Sequence, residues 1–178
     1  RSSVVSHAKT LGYTPRSARA PMAMLDVTIN NTTRTSITIE KGTKFTTQVS
    51  GTTYAFVVND TRTTTTQDGI LRFTNLPIYE GSLVTAKYTV DNNDIEKKYM
   101  ITDNRADTTT LKVSVQTSTT DTTTRTYTLA NDISQVTATS EVYFLQENDN
   151  GRFEVYFGDG VVGKKPADGN IIILEYIV

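Results

Sequence analysis

Cysteine and tryptophan are absent from this 178-residue chain, and histidine occurs once. Without Cys there is no disulfide framework, thiolate zinc site or thiol nucleophile, and one His cannot build a multi-histidine metal centre. The lack of Cys leaves the redox compartment open. No apolar run approaches the ~20 residues that a membrane helix needs. Neither sign of charge dominates: 18 basic residues face 19 acidic ones, for a net charge of −1. That balance argues against a bulk electrostatic grip on nucleic acid or anionic lipid. No signal-peptide pattern opens the chain, and Arg1 at its start reads as a piece cut from a longer protein.

Threonine fills the composition instead, at about a fifth of all residues. It is β-branched, stiff at χ1 and favoured on exposed strand faces. With nine Tyr and six Phe, the chain reads as mostly β. The expected architecture is a sandwich-like antiparallel β core with an inserted β subdomain and a short N-terminal helix. Residues 1–21 are the helix and linker. Ser2 or Ser3 caps Val4, Val5, Ala8 and Leu11 at helical spacing, and Gly12 and Pro15 end the run. Residues 22–76 form the first part of the core, from a strand begun by Met22 and Met24 to one closed by Asn75-Leu76-Pro77. Lys44 to Val49 and Thr53 to Val58 form a hairpin around Ser50-Gly51, and 59–69 is a polar loop. Residues 77–140 form the insert, with Thr117 to Thr124 as a solvated loop or hairpin tip. Residues 141–178 return to the core: Glu141 to Gln146 and Phe153 to Phe157 flank Asn150-Gly151, a strong hairpin signal, and Ile171 to Val178 is a last apolar strand.

Few residues suggest chemistry. Gly158-Asp159-Gly160-Val161-Val162-Gly163 fits a dinucleotide pattern, but Lys165 and Pro166 leave no room for the helix that would hold phosphate. The better reading is a glycine-rich turn. Asp91, Asp94, Asp103, Asp107, Asp149 and Asp159 lack the spacing of an EF-hand loop and read as turn residues bonded to nearby amides. His7 has no nucleophile motif to serve. The sequons at Asn30, Asn31 and Asn59 follow from the abundance of Thr. The structural turn residues expected are Gly158, Asp159, Gly160, Gly163, Asn150 and Gly151, with no catalytic, metal or cofactor site.

From Phe153 to Asn170, the order is an aromatic strand, Phe157-Gly158-Asp159-Gly160, a further Gly, Pro166 and Gly169, then an apolar strand containing Tyr176. This block resembles the baseplate J-like family of contractile phage tails, and within it the wedge proteins of T-even-type phages. Arg1 to Pro15, the Ile39-Glu40-Lys41-Gly42-Thr43-Lys44-Phe45 segment, Tyr79-Glu80-Gly81 and Leu111-Lys112-Val113 are similar to that family in the same order. The resemblance implies a structural, non-enzymatic part of a baseplate wedge, acting by protein–protein assembly. It implies as partners other wedge proteins and copies of the full-length protein, without nucleic acid, membrane, cofactor or small-molecule substrate. It implies a place in the virion tail after assembly in the host cytoplasm. The alternative is a glycan-binding adhesin module using the Thr-rich loops.

Overall fold

The computed structural model describes residues 16–30, 32–94, 98–148 and 150–178. The N-terminal helix expected around Val4 to Leu11, with His7 on it, lies outside them. The described residues are mostly β, and nearly all their strand pairs are antiparallel, as the composition implied. They divide into two compact units. One holds residues 19–83 with 177–178; the other holds 84–176 with the residues before 19.

The unit of residues 19–83 contains β1 (Met22–Ile29), β2 (Ser36–Ile39), β3 (Lys44–Val49), β4 (Thr52–Val58), β5 (Arg62–Thr65) and β6 (Leu71–Glu80). A four-stranded sheet runs β1-β6-β4-β3, and β2 pairs with β5 in a separate ribbon. Ser50 and Gly51, with φ of 51° and 83°, join β3 to β4 in the two-residue turn expected from the sequence. Two expectations fail here. The polar stretch 59–69 contains β5. And Asn75-Leu76-Pro77 does not end a strand, because β6 continues to Glu80 through a bulge.

The register shows why. Leu25 faces Leu76 and Val27 faces Phe73, so one residue of β1 opposes two of β6, Thr74 and Asn75. Asn75 takes a φ of 52°, and its N–H donates to Asp26 Oδ1 at 2.8 Å. The extra residue lets Leu71, Phe73, Leu76 and Ile78 all be buried despite their uneven spacing. Val58, Leu76 and Ile78 form a core cluster, with Leu25, Ile39, Phe45 and Phe56 packed on it. Met22 and Met24 begin a strand, as expected, and are 52% and 57% exposed, while Leu25, Val27 and Ile29 are its half-buried positions.

The second unit is built on β7 (Leu83–Thr89), β8 (Tyr99–Met100), β9 (Asp107–Gln116), β10 (Thr124–Leu129), β11 (Val142–Glu147), β12 (Phe153–Phe157) and β13 (Ile171–Ile177), with a 3-10 turn at Ile133–Gln135. All seven strands share one sheet, ordered β7-β13-β9-β10-β11-β12-β8. β10 and β11 pair in parallel, Thr128 with Val142 and Leu129 with Tyr143. A parallel pair needs a crossover connection, and residues 130–141 supply it. Residues 117–123 are the tip of the β9–β10 hairpin: Thr117 N–H donates to Thr123 O at 3.0 Å, and Ser118 N–H to Asp121 O at 3.1 Å.

In this sheet β9 and β10 lie beside β11, β12 and β13. The near-continuous apolar run of β13 suits a position between two strands, and it lies between β7 and β9. Ile101, Val113, Val155, Ile172, Leu174 and Tyr176 are fully buried in this unit. A row of rings, Tyr88–Tyr99–Phe157–Tyr127, runs with centroids 5.7, 5.6 and 5.3 Å apart. Burial raises the phenol pKa of Tyr88, Tyr99 and Tyr127, which keeps them protonated, and Tyr88 donates to Met100 O at 2.6 Å.

Candidate functional site

Directly after β12 the chain enters the glycine-rich segment that the sequence singled out. A Cβ on Gly158 would press into the carbonyl oxygens of Val162 and Gly163, so no larger residue fits there without backbone movement. Gly160 and Gly163 have φ of 95° and 86°, a region that side chains other than glycine rarely adopt. Gly160 N–H donates to Gly163 O at 3.0 Å, closing the loop on itself. Asp159 Oδ1 accepts from the N–H groups of Val161 and Val162 at 2.8 and 3.0 Å. Those backbone bonds, Val162 first, hold its carboxyl below the usual carboxylate range.

The loop is also fastened to the crossover before β11. Gly163 N–H donates to Thr137 O at 3.1 Å and Lys164 N–H to Ser140 O at 2.8 Å. Lys164 Nζ lies 2.7 Å from Glu141 Oε1, which Arg125 also approaches at 3.3 Å. The bond from Lys164 leads the effects that lower the Glu141 pKa. The result is a pinned platform that presents apolar side chains to solvent: Val161 is 73% exposed and Val162 38%. At the end of β10 and in the crossover that follows, Leu129 and Ile133 are exposed at 41% and 63%.

No helix follows the glycines, since the chain passes Pro166 and Gly169 and enters β13, so the phosphate-binding geometry of a dinucleotide site is not formed. The hairpin at Asn150-Gly151 is present, with Glu147 facing Phe153, so its connection is longer than two residues. Gly151 has a φ of 76° and donates to Asn148 O at 3.1 Å. The organiser is Asn148, which the sequence reading passed over. Its Oδ1 accepts from the N–H groups of Asn150 and Arg152 at 3.0 and 3.1 Å, and its Nδ2 donates to Glu154 at 3.0 Å. An Asn at the head of a turn is the signal that could have found it.

The candidate carboxylates are scattered over turns. Asp91 accepts from Asn93 N–H, Asp103 from Arg105 N–H and Asp107 from Thr109 N–H, at 3.0, 2.8 and 2.9 Å. Asp149 lies outside the described residues. Among the described residues no three His, Asp or Glu side chains gather as metal ligands would. A cleft of about 360 Å³ opens beside the glycine loop, with Tyr99 and Phe157 in its wall and Asp91, Asp94, Lys98 and Lys165 among its polar lining. Acids and lysines mix there, and Lys98 is 3.6 Å from Glu154.

A comparison with curated proteins finds no match. Residues 83–178, more than half of the chain, match the family described as bacteriophage baseplate wedge protein gp6, third domain. The matched span contains β7 to β13, the glycine-rich loop and the crossover that holds it. The chain therefore belongs to the family of the third domain of bacteriophage baseplate wedge protein gp6, and its role is structural, in the baseplate of a phage tail.

Proposed function

We propose that the chain belongs to a baseplate wedge subunit and works by protein–protein assembly, as a stiff β platform that positions neighbouring subunits around the tail tube. Its partners are other wedge proteins and further copies of the full-length protein, joined in the host cytoplasm. It carries out no reaction and uses no cofactor, nucleic acid or membrane. The observation that supports this reading best is the pinned glycine loop. It is tied by backbone bonds to the 137–140 crossover, yet it turns Val161 and Val162 outward. Rigid, exposed apolar side chains suit a permanent contact with another subunit. On this reading Gly158, Asp159, Gly160 and Gly163 keep the platform in shape, and Asn150 and Gly151 do the same for the β11–β12 hairpin.

The test is co-purification of the full-length parent protein with the other tail proteins of its genome, followed by electron microscopy. Wedge-shaped or ring-shaped assemblies that incorporate the parent, and that weaken when Val161 and Val162 are both changed to Ser, are expected. A parent protein that stays alone would count against assembly. Glycan binding is the second reading, favoured by the aromatic wall and polar lining of the cleft beside Tyr99. Retention on a glycan array, lost in Asp91→Ala, would support it.

A further inference from the structure

The hairpin that joins β5 to β6 is closed at its turn and open beyond it. Gln67 and Ile70 exchange two backbone bonds of 2.9 Å across Asp68-Gly69, whose φ angles are 52° and 74°. After that bridge the arms separate. β5 pairs with β2, β6 pairs with β1, and no ladder joins β5 to β6. β4 reaches β6 only at Ile78 to Glu80. One edge of β6 over 71–77 therefore carries no ladder, although β5 stays close to part of it, and β5 likewise has one edge without a ladder. An unpaired edge is a template for another strand.

Two hollows of about 170 and 220 Å³ lie along these arms and share Thr64, Arg72 and Thr74, so they form one groove. Its lining is mostly hydroxyl and amide groups with two cations, Arg62 and Arg72, together with the apolar Ile70, Phe73 and Leu76, and no carboxylate. Neither arginine forms an ion pair among the described residues. Carboxylates flank it: Asp68 in the turn, Asp26, which accepts from Asn75 N–H at 2.8 Å, and Glu40, which accepts from Thr61 Oγ1 at 3.0 Å beside Arg62. The groove is thus positive in the middle within a chain of net charge −1.

We infer that this groove receives an extended acidic segment of a neighbouring tail protein. The segment adds as a strand on the open edge, and its carboxylates meet the Arg62 and Arg72 guanidiniums. The inference rests on the assembly reading above and names the chemistry of one partner. A free phosphate would use the arginines but leave the strand edges idle. A nucleic acid would likewise leave the strand edges idle, and it would find no exposed ring on which to stack.

The full chain is first titrated with a fluorescein-labelled peptide of alternating Glu and Val, with its Gln counterpart, a single-stranded oligonucleotide and inorganic phosphate as comparisons. The acidic peptide is expected to bind, to weaken as salt rises, and to lose about tenfold in affinity in Arg62→Gln/Arg72→Gln. The melting temperature of that variant should be unchanged. Equal binding of the Gln peptide, equal binding by the variant, tighter binding of the oligonucleotide, displacement by equimolar phosphate, or no binding at all would overturn the inference. A photo-crosslinking residue replacing Thr74 in assembled wedges then reads the natural occupant. An acidic tail-protein peptide is expected, and assembled wedges without such a crosslink would also overturn it. Failure of the assembly reading looks different: no wedges form, while the chain still binds the acidic peptide.

Discussion

Residues 84–176 and residues 19–83 are both mostly antiparallel β, yet they exclude water to different depths. In the larger unit Ile101, Val113, Val155, Ile172, Leu174 and Tyr176 all lie at zero exposure. In the smaller one Val57 and Leu71 are as well buried, but the cluster around Val58, Leu76 and Ile78 is completed by side chains that are only half-covered. Threonine divides by exposure rather than by unit. The Thr-rich strand β5 is mostly exposed, whereas β11, β12 and β13 contain no Thr and β13 is buried at five of its seven positions. A β-branched hydroxyl residue favours strand geometry without asking for burial, so it builds ribbons and hairpin tips rather than cores.

The sharpest test of this difference is a truncation in each interior. Leu174→Ala should cost about 2–5 kcal/mol, toward the upper end, because the packed neighbours cannot close the cavity. Leu76→Ala should fall toward the lower end of the same ~2–5 kcal/mol range, since its half-covered neighbours can settle inward. Urea unfolding of both variants decides the matter, and equal losses would break the comparison.

Next come two glycines that are strained in different ways. Gly158→Ala places a methyl group against two carbonyl oxygens and should destabilise by about 3 kcal/mol, the upper range for overpacking. Gly51→Ala meets no atom within 4 Å and suffers only from its φ of 83°, which costs about 1–2 kcal/mol. Thermal melts that rank them the other way would show that backbone conformation outweighs crowding here.

Acid sharpens the comparison less strongly. Asp103, Asp121, Asp132, Glu141, Glu154 and Asp159, all in the larger unit, have lowered pKa values. Burial alone would raise Glu154, but bonds from Asn148 and Gln146 and the charge of Lys98 outweigh it. A lowered folded pKa contributes stability that is present above the unfolded value of about 4 and is lost as pH falls through the folded one. Melting temperature should therefore hold from pH 7 to about 5 and decline below about 4. Asp159→Asn keeps the Oδ1 acceptor but cannot titrate, so its decline should be shallower. The smallest effect belongs to the Thr38–Thr63 hydroxyl pair, 2.8 Å apart on the exposed β2–β5 ribbon. Thr38→Val should change stability by about 0.5 kcal/mol or less by calorimetry.

What could be read in advance was local. Alternation found most strands, Ser50-Gly51 and Asn150-Gly151 marked hairpins, and the run Ile171 to Ile177 announced a buried strand. The bulge at Thr74–Asn75 was not legible, because a one-residue insertion shows only as a three-residue gap between Phe73 and Leu76, which also looks like a turn. β5 was hidden in its threonines, which carry no apolar alternation. The parallel register of β10 and β11, and the bonds from the glycine loop to Thr137 and Ser140, are contacts through space with no local trace. The glycine loop could thus be recognised as a turn, while the crossover that fixes its orientation could not.

The place of β13 between β7 and β9 also bears on synthesis. β7 leaves the ribosome roughly 80 residues before β13, its one sheet neighbour among the described residues, and at about 5–20 residues per second that is a wait of several seconds. During it, Leu83 and Val84 have nothing to pack against in that sheet. The nascent chain must hold an unfinished edge until residue 177 has emerged, the interval in which a chaperone would matter most.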